Sequence, residues 1–230
     1  MNCEQHPQLF KEDDVATPLC HEDAFFGYVK TVYDCQDDLL KAVKHIHFPD
    51  GFDADLTFGN GAFWKTIKRP ELCYDIDPLF PFVTKASSTD LPLRDGAIRS
   101  AVFDPPFLTY IKEGREHSSI MAERFSGYWK YEELEDHYKG TLRECSRVLT
   151  KGGRLAFKCQ DIIHNHKHRP THHYVIQWAE DFGLRVKDIF ILVAKHRMPT
   201  RAASHGMQSQ KHARNFHSYF LILENVKGGV

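Results

Sequence analysis

The residues best suited to chemistry are Asp104-Pro105-Pro106-Phe107, which follow the apolar run Ala101-Val102-Phe103. That run predicts a buried strand. The paired prolines after it fix two φ angles and push Asp104 and Pro105 toward extended backbone. A carboxylate, the Pro105 carbonyl and an aromatic ring are thereby held in fixed register. Two acceptors of this kind can take both hydrogens of an exocyclic amine, while the ring stacks on the planar group that carries it.

Such a strand end needs neighbours that bring a second ligand to it. Upstream, Phe52 to Trp64 reads as a short strand running into a glycine turn, with a helix expected to begin by Lys65 to Ile67. Gly59 and Gly61 permit positive φ and leave no Cβ to block a ligand at the backbone. Strand, turn and helix N-terminus together predict a cradle of partial positive charge. The third glycine of the dinucleotide fingerprint is missing. Next, Leu72-Cys73-Tyr74-Asp75 repeats the pattern of strand followed by acid, where a carboxylate can accept ribose hydroxyls; Asp77, before Pro78, suits a turn. Asp90, in the polar stretch Ala86 to Leu93, reads either as a ligand or as a turn residue, and Asp95-Gly96 turns the chain into the strand of Asp104. In an open parallel sheet, ligands bind at the carboxyl ends of strands near the switch in strand order, so these segments converge on one rim.

Asp104-Pro105-Pro106-Phe107 resembles the Asp-Pro-Pro-Tyr/Phe/Trp signature of S-adenosylmethionine-dependent nucleic-acid amino-methyltransferases. Asp55-x-x-x-Gly59-x-Gly61 is similar to the cofactor loop of the same enzymes. The resemblance covers residues 52 to 224. It implies an α/β, Rossmann-like class I methyltransferase fold, with a mostly parallel seven-stranded sheet and a terminal antiparallel β-hairpin. It also implies S-adenosyl-L-methionine as cofactor, with Thr57, Phe58, Gly59 and Gly61 along its methionine part. By the same resemblance Asp55 lies near its amino group, Asp75 on its ribose, and Asp90 is a displaced candidate for its adenine, since the family acid falls nearer Ser87. Catalysis is assigned to Asp104, Pro105, Pro106 and Phe107. Asp in the first motif position fits adenine N6, and the expected partner is nucleic acid, DNA before RNA. An RNA base (adenine N6 or guanine N2) and a non-catalytic binding subunit of a heteromeric methyltransferase stay open as alternatives.

The 230 residues predict one domain, irregular over 1–34 with a catalytic core over 35–224. The formal charge of −1, fifteen histidines uncounted, means that any polyanion site must come from local clustering. Residues 195–214 hold Lys195, Arg197, Arg201, Lys211 and Arg214 without an acid, the expected contact to a nucleic-acid substrate. A long polar segment from Thr109 to Trp129 interleaves Lys112, Arg115 and Arg124 with aromatics, a composition suited to an opened strand. No leader and no apolar run of spanning length are evident, so the expectation is cytoplasmic, with no membrane partner. Six cysteines without a Cys-x-x-Cys pair read as reduced thiols. The His-rich tract from Asp161 to His173 reads as a solvated loop, with no metal assigned.

Periodicity predicts helices over Asp37–Ile46, Glu132–Val148 and Tyr174–Glu180. The second buries Leu134, Tyr138, Leu142, Cys145 and Val148 and is expected to be capped by Lys151-Gly152-Gly153. A strand is expected from Arg154 to Cys159, and Val186–Val193 with His217–Leu223 are expected to form the closing hairpin.

Overall fold

The computed structural model describes residues 28–107, 109, 128, 130–194 and 211–227. Contacts divide the chain into Met1–Lys30 and Thr31–Val230, and the fold below is that of the second unit. Its elements in order are β1 (Val32–Tyr33), α1 (Gln36–His47), β2 (Ala54–Asp55), β3 (Leu72–Asp75), β4 (Thr84–Lys85), β5 (Ile98–Phe103), α2 (Tyr131–Val148), β6 (Leu149–Cys159), β7 (Ile162–His164), β8 (Lys167–Arg169), α3 (Thr171–Asp181), β9 (Leu184–Val193) and β10 (His217–Asn225). No described helix is long and apolar enough to cross a membrane.

The main sheet runs β1-β9-β10-β6-β5-β2-β3-β4. Every neighbouring pair is parallel except those of β10, which is antiparallel to both β6 and β9. This is a Rossmann-like α/β sheet closed by the antiparallel β9–β10 pair, as the sequence implied. An eighth strand, the two-residue β1, is added at the β9 edge. Strand order reverses at β2: β3 and β4 follow on one side, whereas β5 and β6 return on the other. The switch therefore lies between Asp55, the last residue of β2, and Asp104, the first after β5.

Long central strands with little polarity need cover on both faces. Phe157 and Lys158, adjacent in β6, point to opposite faces. Phe157 enters the core against α2, where Phe103, Tyr138 and Phe157 are fully buried with ring centroids 4.9 to 5.9 Å apart. Lys158 faces the side of α1 and contacts Gln36, the first residue of that helix. The predicted stripe of α2 (Leu134, Tyr138, Leu142, Cys145, Val148) is wholly buried.

Three local expectations are corrected. No α-helix begins at Lys65–Ile67; a single 3-10 turn at Ala62–Trp64 follows the glycines, so the loop is not backed by a helix N-terminus. The reason is side-chain packing: Phe63 and Trp64 turn inward and are buried instead of continuing an amphipathic pattern. Lys151-Gly152-Gly153 does not cap α2. Leu149 leaves the helix directly in extended conformation, its N–H on the Cys145 carbonyl, and starts β6. The glycines instead absorb a bulge between the Ile98/Leu149 and Ser100/Arg154 pairs. Gly152 has φ +79°, and a Cβ on Gly153 would lie 2.9 Å from the Thr150 carbonyl oxygen. Finally, the His-rich tract is not a plain loop. β7 and β8 pair as a hairpin around Asn165 (φ 50°) and His166 (φ 57°), and the positive φ at both turn residues matches the twist of the flanking strands.

Candidate active site

The loop after β2 is built by its own backbone geometry. Phe58 N–H donates to the Tyr74 carbonyl (2.9 Å), Gly61 N–H to the Phe58 carbonyl (3.0 Å), and Gly59 N–H to Asp75 Oδ2 (2.7 Å). Gly59 and Gly61 both take positive φ, 54° and 74°. A Cβ at Gly61 would press the Phe58 ring at 3.2 Å, whereas one at Gly59 would meet nothing within 4 Å. The backbone at Gly59 therefore borders open space beside the Asp75 carboxylate, which also accepts from Asp77 N–H (2.9 Å). Phe58 is buried, its ring edge-on to Phe80 and Phe82.

Asp55 does not stand in that space. It is 1 % exposed, with Oδ1 taken by Thr57 N–H (2.9 Å) and Oδ2 by the Trp64 indole N–H (2.6 Å). Burial pushes its carboxyl up to about 7; the two hydrogen bonds pull it down, and the charges of Asp104 and Asp75 push it up further. A folded-state value above the unfolded one means that the native form takes up the extra proton. Its stabilisation is complete below about pH 4 and is lost as pH rises to about 7. Between pH 5 and 8 the melting temperature of the natural chain is expected to fall by roughly 10 °C more than that of Asp55→Asn. Scanning calorimetry at the two pH values checks this, and equal falls would show that Asp55 ionises freely in the folded chain.

Thr57 ties the loop to the second half of the rim, its Oγ1 accepting the Asp104 N–H (2.9 Å). The Asp104 carboxylate is half-buried and receives Lys158 Nζ at Oδ2 (3.0 Å). Among the described residues nothing donates to Asp104 Oδ1 or to the Pro105 carbonyl, whereas the next carbonyl, of Pro106, accepts from Tyr138 Oη (3.3 Å). Pro105 is buried, and Pro106 and Phe107 are partly exposed at the rim. Two open acceptors and an aromatic residue thus follow β5 in succession. Lys158 was not among the residues the sequence singled out. The signal was available: it is the one charge in the otherwise apolar end of the strand, Leu155-Ala-Phe-Lys-Cys159.

In the third element Asp90 takes the turn position, one of its two expected readings. Asp90 is exposed and closes a tight turn, its N–H on the Ser87 carbonyl (3.0 Å). Ser88 is instead the embedded residue of this stretch: its hydroxyl meets His137 Nε2 and Thr141 Oγ1, both at 2.8 Å, and His137 Nδ1 continues to the Tyr128 hydroxyl. Burial lowers His137. The turn is thereby fixed to α2 beneath the rim.

Of the expected substrate residues, Lys211 and Arg214 are exposed and lead into β10, which starts level with the carboxyl end of β6. Lys195, Arg197 and Arg201 lie outside the described residues, as does most of the Thr109–Trp129 segment. Beside Arg214, Asn215 Nδ2 donates to the Asp161 carbonyl, and Asp161 Oδ1 holds His172 Nδ1 (2.7 Å), whose ring stacks on Tyr219 at 4.1 Å. Among the described residues no three of His, Cys, Asp or Glu gather to hold a metal ion, and the four described cysteines are free.

No known family model matches the sequence, and no curated protein matches it. Among solved structures, a candidate DNA modification methylase of Thermus thermophilus, complexed with S-adenosyl-L-methionine, is 20% identical, with a TM-score of 0.39 over 60% of this chain and 51% of its own. The chain thus spans about half the length of that protein. The Burkholderia thailandensis 1,6-didemethyltoxoflavin-N1-methyltransferase, with its substrate and S-adenosylhomocysteine, is 11% identical, with a TM-score of 0.47 over 84% of this chain and 80% of its own. A candidate methyltransferase in complex with the Haloferax volcanii Trm112 methyltransferase activator is 14% identical, with a TM-score of 0.47 over 82% of this chain and 93% of its own.

Proposed function

We propose that the chain is an S-adenosylmethionine-dependent methyltransferase that methylates the exocyclic amine of a nucleobase, adenine N6 in DNA before any other. One observation carries this reading. At the switch in strand order, Thr57 joins the open glycine loop and Asp75 to Asp104, so a ligand cradle and a pair of amine acceptors share one rim.

The residues present fit the cofactor. Gly59 borders open space, the Asp75 carboxylate stands at its edge, and no side chain fills the position a Cβ would take. Gly59, Gly61, Thr57, Phe58 and Asp75 would hold it, Asp55 would act from beneath through its charge and its hold on Thr57, and Asp90 would stand at the adenine end. When bound, S-adenosylmethionine supplies an electrophilic methyl group on a sulfonium.

The chain's own part is placement. A base is presented single-stranded or swung out of its helix, at a cost of a few kcal/mol. One amine hydrogen rests on Asp104 Oδ1 and the other on the Pro105 carbonyl, and Phe107 stacks on the ring. Both acceptors draw the amine out of conjugation and aim the nitrogen lone pair. As the nitrogen gains a fourth bond its hydrogens become acidic, and Asp104 Oδ1 is placed to take the proton. Orientation and charge complementarity supply the acceleration, with no covalent enzyme intermediate. Lys211 and Arg214, with Lys195, Arg197 and Arg201, would meet the phosphates.

The test is nucleoside mass spectrometry after the protein is incubated with methyl-labelled cofactor and unmodified DNA and RNA. Labelled N6-methyladenine from DNA is the expected product. Label confined to RNA nucleosides moves the substrate to RNA. Tight cofactor binding without label in either overturns the enzymatic reading in favour of a binding subunit.

A further inference from the structure

We infer that Lys158 is a positioning residue for Asp104, clamping one carboxylate oxygen so that the other alone is presented to the substrate amine. The consequence for catalysis rests on the methyltransferase reading; the clamp itself does not.

The geometry around the ammonium is closed. Lys158 Nζ lies 3.0 Å from Asp104 Oδ2 and 3.3 Å from Gln36 Oε1, and its side chain is 12% exposed. The rings of Phe63 and Phe220 flank it, with centroids at 5.9 and 5.4 Å, a setting that favours a cation, and among the described residues Asp104 is the carboxylate paired with it. Each ring is set by a separate part of the fold. Phe63 belongs to the 3-10 turn after the glycine loop, and Phe220 is the cross-strand partner of Lys158 in β10. Gln36 opens α1. Three elements thus fix the ammonium, and the ammonium fixes the acid.

Asp104 is held at its other end as well, through its N–H to Thr57 Oγ1. With main chain and Oδ2 both tied, the carboxylate cannot exchange its oxygens by rotation without breaking the ion pair. Oδ1 becomes a dedicated acceptor. Two further consequences follow. Among the described residues Lys158 is the cation paired with Asp104, whose charge together with that of Asp75 bears unfavourably on Asp55. With two of its three ammonium hydrogens directed at Asp104 Oδ2 and Gln36 Oε1, Lys158 also has at most one left for an incoming group.

The test uses the full chain and its Lys158→Met and Lys158→Arg variants. In crystals, Asp104 is expected to keep its carboxylate orientation in the natural chain and in Lys158→Arg, and to leave it or split between rotamers in Lys158→Met. In assays with labelled cofactor, Lys158→Met is expected to lose about 100-fold in kcat, with KM and cofactor Kd changed less than about threefold, and Lys158→Arg to recover to within about tenfold. An unmoved carboxylate in Lys158→Met overturns the clamp whatever the assay shows. Natural kcat in Lys158→Met overturns it while the methyltransferase reading stands. If the natural chain labels no nucleic acid, that reading fails, and the crystal alone decides the clamp. Should Lys158→Met not fold, Lys158→Gln takes its place in both arms.

Discussion

Asp104→Ala is expected to lower methyl transfer by about 10³-fold, roughly 4 kcal/mol of transition-state stabilisation, while leaving cofactor affinity within about threefold of the natural chain. On the proposed mechanism the variant removes the acceptor for the amine hydrogen and the site for the departing proton together. It touches the cofactor cradle only through the main chain, because the Thr57 contact is to the Asp104 N–H, which alanine retains. It also leaves Lys158, a largely enclosed ammonium between two rings, with Gln36 but without its counter-charge, and that costs stability. Asp104→Asn keeps the shape and an oxygen for Lys158, so the pair separates the two effects. Single-turnover rates with titration calorimetry of the cofactor give the result. Weak cofactor binding with natural turnover at saturation would place Asp104 in the cradle and not at the reacting nitrogen.

The second large effect lies beneath the rim. Phe157→Ala is expected to cost about 3–5 kcal/mol, because the ring has no exposed surface and its loss leaves a cavity that β5 and α2 cannot both close. Against a total of about 5–15 kcal/mol for a domain this is a large share, and the melting temperature is expected to fall by roughly 10 °C. Phe157 packs on Phe103 at 4.9 Å and on Tyr138 at 5.1 Å. Phe103 immediately precedes Asp104, and Tyr138 donates to the Pro106 carbonyl, so the same cavity loosens both ends of Asp104-Pro105-Pro106. Phe157→Leu fills most of the space and is expected to restore most of the stability. Urea unfolding of the two variants checks this, and a loss below about 1 kcal/mol for Phe157→Ala would mean that the aromatic layer repacks around the gap.

What was legible in the sequence followed from period and punctuation. The stripe of α2 repeats every three or four residues, and all five residues assigned to it are fully buried. The order of strand ends was readable because each is a short apolar run closed by Asp, Gly or Pro. The failures share a different cause. Gly152-Gly153 carries the signature of a helix stop, yet the choice between cap and bulge depends on whether Thr150 and Arg99 carbonyls crowd the second glycine, which is a tertiary fact. The missing helix after Gly61 was decided by Phe63 and Trp64 finding partners in Phe220, distant in the chain, and in the buried Asp55 on the preceding strand. In the site, Asp75 and Asp104 could be singled out as acids after strands, but the burial of Asp55 behind Trp64 could not. Lys158 was visible only as an anomaly, one cation in the apolar end of its strand, and its partner lies 54 residues away.

The edge of the sheet at β9 has a consequence for how the protein behaves among its own copies. Beyond the two residues paired to β1, the outer side of the ten-residue β9 has no strand partner among the described residues, and such an edge is a template for joining another chain. Here the hazard is divided. The first part of β9 carries Arg185, Lys187 and Asp188, whose charges discourage a flat partner, whereas the apolar end is paired to β1 through Ile191 and Leu192. Two residues, Val32 and Tyr33, thus cover the apolar end of this edge, where an open strand would otherwise invite self-association.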